Sequence, residues 1–225
     1  MSGIAYGVGV GPGDPELITQ KAVRIIRENP VIAVPGTTVE TSLAYQIAAA
    51  AVPELAQKEL VPIHMPMTKD PEALRLAHQN GADRLETYLA QGINVVYLTI
   101  GDPTIYSSFV YLQRILETDG YPVELVSGVP SFCAAAARLN RPLAEGDTPL
   151  HIIPGGAFTA EAAAWPGSHV LMKPGRKLPE IRTLLAETLR SVGMVAHCGM
   201  DSERIYRSLE EIPEQTGYRS LMIVT

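Results

Sequence analysis

The chain is predicted to be an α/β protein whose first half builds a parallel sheet, and three observations lead there. Short β-rich apolar runs alternate with longer amphipathic segments, glycine and proline mark nearly every junction, and two of the apolar runs end in glycine-bearing turns. Strands are expected at residues 4–10, 31–34, 59–62, 93–100 and 122–126, and helices at 16–27, 42–51, 71–90 and 106–118. The first helix has a well-specified start. Asp14 can cap free backbone amides, Pro15 suits the first helical position, and Glu16 favours the positive end of the dipole.

The two turns are the functional signal. Gly101-Asp102-Pro103 follows the most apolar strand and leads into hydroxyl-bearing Thr104, Tyr106, Ser107 and Ser108, while Gly7-Val8-Gly9-Val10-Gly11-Pro12-Gly13 closes the first strand. Turns at the carboxyl ends of neighbouring parallel strands are where open α/β sheets bind small molecules. A crevice floored by glycine backbone suits a nucleotide-like ligand. The pattern is nevertheless neither a dinucleotide fingerprint nor a P-loop. Counted from Gly7, the third glycine falls on Pro12; counted from Gly9, it falls on Asp14; and no Gly-Lys-Ser/Thr ending is present. The bland alternative is a glycine turn serving only tight strand-helix packing.

Around Ser127-Gly128-Val129-Pro130-Ser131 a turn leads into a small-residue helix at residues 132–139, and residues 140–149 are polar and irregular. The domain boundary is therefore drawn to give residues 1–127 and 128–225. The remaining third reads as strands at 150–153, 169–172, 194–198 and 220–224, with helices at 159–164, 178–191 and 203–211.

Composition excludes several classes. With 225 residues and 46% apolar content the chain can bury a substantial core as one large or two modest domains. A net charge of -6 argues against general nucleic-acid binding, which needs a basic face. Cys133 and Cys198 lack paired spacing, fit a reducing cytoplasm, and are expected to be small buried residues. No stretch approaches the roughly 20 apolar residues of a membrane helix, and a soluble, untargeted cytoplasmic protein is expected. The five histidines offer no i, i+4 pair, so no metal site is expected; His64, beside Pro66-Met67, is either a residue bordering the substrate or, as expected here, a loop histidine without a role. Lys173, Arg176 and Lys177 form one basic cluster and Arg138 with Arg141 another, either solvated surface or local attraction for an anionic substrate.

On these residues the chain resembles the tetrapyrrole methylases, which transfer a methyl group from S-adenosylmethionine to precorrins and related macrocycles. Val8-Gly9-Val10-Gly11-Pro12-Gly13-Asp14-Pro15 resembles the family's first motif, Gly101-Asp102-Pro103 its second and Gly128-Val129-Pro130-Ser131 its third, and the likeness spans essentially the whole chain. Pro66-Met67, Thr104-Ile105-Tyr106-Ser107 and Val129-Pro130-Ser131-Phe132 resemble the branch that methylates C20 of precorrin-2 or cobalt-factor II. The resemblance implies a homodimer of two-domain α/β chains: an N-terminal parallel sheet, a smaller C-terminal mixed sheet, S-adenosylmethionine in the cleft between them, and the tetrapyrrole in an adjoining trough. It also implies that Pro12, Gly101, Asp102, Pro103, Tyr106 and Ser131 line the cofactor pocket, with Met172 near the adenine. For Met172 a gap-filling core methionine is the alternative.

Chemistry narrows the roles. A sulfonium loses its charge on methyl transfer, so a carboxylate held against it would stabilise the ground state more than the transition state. Asp102 is therefore expected to serve the cofactor's other polar parts or the turn itself. Asp102, Tyr106 and water are the candidate acceptors for the proton that leaves the methylated carbon. Two rivals remain: a relative acting at another ring position or on a modified protein side chain, and a non-catalytic module that binds a nucleotide or the cofactor. The hydroxyl-rich segment 104–108 favours an enzyme, as a second polar trough beside the cofactor turn.

Overall fold

Five of the expected strands form one parallel sheet in the computed structural model, which describes residues 1–225. They are β1 (Ala5–Gly9), β2 (Val31–Pro35), β3 (Glu59–Ile63), β4 (Val95–Thr99) and β5 (Val123–Val126), in the spatial order β3-β2-β4-β1-β5. All lie in one compact unit, Met1–Pro130. Every residue of β1 and β4 is buried, because helices cover both faces of the sheet, and such strands read as continuous apolar runs.

Helices α1 (Gln20–Glu28) and α2 (Leu43–Ala51) cover one face, where Ile25, Ile26 and Ile47 join the cluster of Val8, Ile32 and Leu98. Helices α3 (Pro71–Leu89) and α4 (Phe109–Thr118) cover the other, where Leu85, Phe109 and Leu112 join Val61, Val95 and Tyr97. The period of two along β4 thus assigns Val96 and Leu98 to one layer and Val95 and Tyr97 to the other. Each fully buried leucine or phenylalanine contributes roughly 1.5–3 kcal/mol relative to exposure. The route of the chain then locates a crevice: β1 leads to α1 on the first face, its neighbour β4 leads to α4 on the second, and the sheet switches direction between them.

Two helix starts differ from expectation. Asp14 does cap Glu16 N at 2.9 Å, but this closes only a single 3-10 turn, Pro15–Leu17. Thr19 caps Ala22 N at 3.2 Å and begins α1 four residues later than the expected start at 16. The helix expected from Tyr106 begins at Phe109, since Tyr106 has a φ of 49°, which no α-helix admits.

The second unit, Ser131–Thr225, is described by itself. Its elements are α5 (Ser131–Leu139), β6 (Leu150–Pro154), α6 (Ala160–Ala163), β7 (Ser168–Met172), α7 (Leu178–Ala186), β8 (Val192–Ala196), β9 (Arg204–Tyr206) and β10 (Ser220–Val224). The sheet runs β6-β7-β10-β8-β9; β6 and β7 are parallel and every other pair is antiparallel. Phe158, Ile181 and Leu185 bury one face against Leu171, Met194 and Met222.

Three expectations are corrected in this unit. The helix expected at 203–211 is instead edge strand β9, paired with β8 from Met194↔Tyr206 to Ala196↔Arg204. The helix expected to reach 191 stops at Ala186, after which the Arg190 guanidinium bonds His169 Nδ1 and the carbonyls of Trp165 and Gly167. Ser191 then pairs with Thr225 through two backbone bonds of 2.9 Å. Cys198 is buried as expected, but Cys133 is exposed, on the outer side of α5.

Candidate functional site

Three loops leave the carboxyl ends of the adjacent strands β4, β1 and β5, and glycine lets their backbones touch. Gly101 N donates to Gly11 O at 2.8 Å and Gly11 N to Gly101 O at 3.3 Å, an isolated antiparallel bridge across the switch point. Both glycines have positive φ, 80° and 74° respectively for Gly11 and Gly101, a region costly for any residue with a Cβ. A Cβ on Gly9 would lie 2.4 Å from Gly101 O and 2.8 Å from Gly128 N; one on Gly128 would lie 2.1 Å from Gly101 O. The loops therefore meet as bare backbone.

Asp102 joins them. Its Oδ1 accepts from Thr104 N at 2.8 Å and from the Thr104 hydroxyl, and its Oδ2 accepts from Gly128 N at 3.0 Å. The side chain is 7% exposed. Farther along the same segment, Ser107 Oγ lies 3.0 Å from Thr99 Oγ1 and accepts from Phe109 N, starting α4. Ser108 Oγ lies 3.3 Å from the hydroxyl of Tyr97, whose phenol is pushed up by burial. The hydroxyls of Thr104, Ser107 and Ser108 are thus engaged in fastening the segment, with Thr104 still exposed and Ser107 buried. Tyr106 stands out instead: its left-handed backbone carries a ring that is 54% exposed. Such strained non-glycine residues concentrate at functional sites.

Of the expected site residues, the first unit brings together Pro12, Gly101, Asp102 and Pro103, all buried, with Tyr106 on the loop that follows. Ser131 and Met172 belong to the second unit. Ser131 is the first residue of α5, and Met172 ends β7 opposite Leu221; both are half-buried. Gly9 and Gly128 fall within the sequence motifs, yet the sequence alone assigns them no role of their own. Their signal was present, a glycine at the end of β1 and another just past β5, but only the close approach of the loops reveals why.

The basic clusters divide. Lys177 pairs with Glu180 at 2.7 Å, Arg138 with Glu203 at 3.2 Å, and Arg141 bonds Ser191 Oγ and Arg207 O, each at 2.8 Å. These three serve the second unit's own structure. Lys173, at a φ of 56° just beyond Met172, sets its Nζ 4.8 Å from the Tyr218 ring centre, and Arg176 is exposed. His64 is exposed on its loop, and no group of three or more His, Cys, Asp or Glu side chains is disposed to hold a metal ion.

Comparisons with known proteins show the family. The family model for Tetrapyrrole (Corrin/Porphyrin) Methylases matches residues 5–213. A probable cobalt-precorrin-2 C(20)-methyltransferase of Methanocaldococcus jannaschii is 34% identical over 223 residues, spanning 97% of this chain and 94% of that protein. The precorrin-2 C(20)-methyltransferase of a Sinorhizobium species is 31% identical over 243 residues, spanning 100% and 97%. Among solved structures, uroporphyrin-III C-methyltransferase from Thermus thermophilus, complexed with S-adenosylhomocysteine, is similar over 99% of this chain and 97% of that one, with a TM-score of 0.73 and 26% identity.

Proposed function

We infer the reaction from one established premise: the chain belongs to the tetrapyrrole methylase family. It is an S-adenosylmethionine-dependent C-methyltransferase of corrin biosynthesis, and the carbon methylated is C20 of precorrin-2 or of its cobalt-bearing counterpart. Likeness over nearly the full length to relatives named for that position supports the choice of carbon. The observation that carries the chemistry is the convergence of three glycine loops at the switch point of the parallel sheet.

The residues present fit the donor. When bound, S-adenosylmethionine supplies an electrophilic methyl group on a positively charged sulfur. Uncharged backbone loops suit that cation better than a carboxylate would, because stabilising the charge before transfer opposes its loss. Asp102 meets this requirement, since both its oxygens are bonded to the loops. We assign donor binding in the first unit to Pro12, Gly101, Asp102, Pro103 and Tyr106, Asp102 acting through the loop it shapes.

The acceptor carbon bridges an electron-rich macrocycle and is nucleophilic without prior deprotonation. Alignment therefore supplies most of the acceleration. A proton leaves the same carbon afterwards, to water directly or through the Tyr106 hydroxyl, which releases its own proton to solvent as it takes one. Lys173 and Arg176 offer local positive charge for the substrate's carboxylates on a chain that is acidic as a whole. We also place the active form as a cytoplasmic homodimer, which sedimentation of the purified chain tests for assembly; no helix is long and apolar enough to cross a membrane.

Mass spectrometry of the product from precorrin-2, with and without cobalt in the ring, is the decisive experiment. One added methyl at C20 is expected. A methyl at another carbon would reassign the chain within its family, and donor binding without turnover of any tetrapyrrole would overturn the enzymatic reading.

A further inference from the structure

We propose that Asp102 is a positioning residue: its carboxylate clasps the turn after β4 to the loop after β5, over the turn of β1, and so fixes the donor-binding rim. The role rests on the donor-binding reading above, but the clasp itself is a property of the protein without ligand.

Strand order makes the clasp necessary. β4 and β5 do not pair; β1 lies between them, so the sheet ladder gives their ends no direct tie. Across that gap Gly101 O, Gly9 and Gly128 lie at backbone contact, and the bond from Gly128 N to Asp102 Oδ2, 3.0 Å, fastens the outer loop to the inner one. The other oxygen simultaneously holds Thr104 N and the Thr104 hydroxyl, fixing the direction in which the chain leaves toward Tyr106. Two acceptor atoms in a fork are required at once. Asparagine has one acceptor, and its amide would set a donor against either Thr104 or Gly128. A carboxylate that accepts three bonds while 7% exposed is also poorly placed as a base, which needs an oxygen open toward the proton it takes.

Asp102→Asn tests the proposal with three readouts. In the ligand-free protein, hydrogen exchange at the Gly128 amide should accelerate, while the Gly101 amide, bonded to Gly11 O, stays protected. Calorimetry should show S-adenosylhomocysteine binding weakened by about 10- to 100-fold, the scale of a lost hydrogen bond to a charged group. At saturating donor, kcat should fall by a smaller factor than donor affinity does, and its pH profile should superimpose on that of wild type, because no titrating group is removed from the reaction. Unchanged Gly128 exchange would overturn the clasp. Unchanged affinity with a collapsed kcat and a lost limb of the pH profile would make Asp102 a catalytic base instead. Should Asp102→Asn not fold, Thr104→Val removes only the hydroxyl bond, and a smaller loss of affinity is expected; no loss would count against the proposal. Wild-type protein that binds no S-adenosylhomocysteine would defeat the functional reading, and the Gly128 exchange would still decide the clasp.

Discussion

Gly9 shows how one residue can decide whether the site forms. Its added Cβ would lie 2.4 Å from a carbonyl oxygen and 2.8 Å from an amide nitrogen, both backbone, so no side-chain rotation relieves the overlap. Gly9→Ala must push the loops apart. We expect a loss of about 1–3 kcal/mol in urea unfolding, the scale of overpacking, together with loss of S-adenosylhomocysteine binding. Gly156→Ala is the control: nothing lies within 4 Å of its Cβ, and its stability and binding should match wild type. Equal behaviour of the two variants would mean that the loops are not held at contact. Tyr106 presents the opposite case, a bulky residue in a conformation natural to glycine, at a cost on the order of 1–3 kcal/mol. An exposed ring kept in such a conformation is consistent with a role beyond packing.

At the scale of elements, Thr19 links a helix to the site. Its Oγ1 accepts from Ala22 N at 3.2 Å, capping α1, and donates to Ser127 O at 3.3 Å, on the loop that carries Gly128. Thr19→Ala should lower stability by about 1 kcal/mol and Thr19→Ser by only a few tenths, measured by urea unfolding. Equal losses in both would show that the hydroxyl is not the capping group. The same region shows what was legible in the sequence. Apolar runs such as Val31 to Val34 declared buried parallel strands, and Gly101-Asp102-Pro103 declared the end of β4. Asp14-Pro15-Glu16 carries the signature of a helix start, and Asp14 does cap Glu16 N, but only a single 3-10 turn follows, and α1 begins under a second cap, Thr19, that the first obscures. Residues 203–211 carry Tyr206 and Leu209 at helical spacing, and a lone three-residue edge strand is too short to show period two against that signal. The clasp by Asp102 was only half legible. Its bond to Thr104 is local and usual for aspartate in a turn, whereas Gly128 is 26 residues away and enters only through strand order.

For the whole molecule, acid stability should be set in the second unit by His169. Its side chain is fully buried on β7, with Nδ1 bonded by Arg190, the His151 ring stacked at 5.1 Å and Phe158 edge-on at 6.2 Å. Burial first, then the Arg190 charge and then His151, bring its pKa down from 6.5 to about 4. A depressed histidine pKa means the folded state prefers the neutral ring, so the unfolded chain binds more protons between pH 6.5 and about 4. The contribution is complete above pH 6.5 and is lost progressively as pH falls through that window. The span corresponds to about 3 kcal/mol. Trp165 is the only tryptophan and its ring lies 5.2 Å from His151, so its fluorescence reports unfolding of this unit. The urea midpoint followed at Trp165 should fall steadily from about pH 7 to about pH 4. His169→Phe, which removes the titrating group and keeps an aromatic ring, should flatten that slope while lowering stability at neutral pH through the one hydrogen bond that Arg190 loses. A slope unchanged in the variant would assign the acid sensitivity to carboxylates elsewhere.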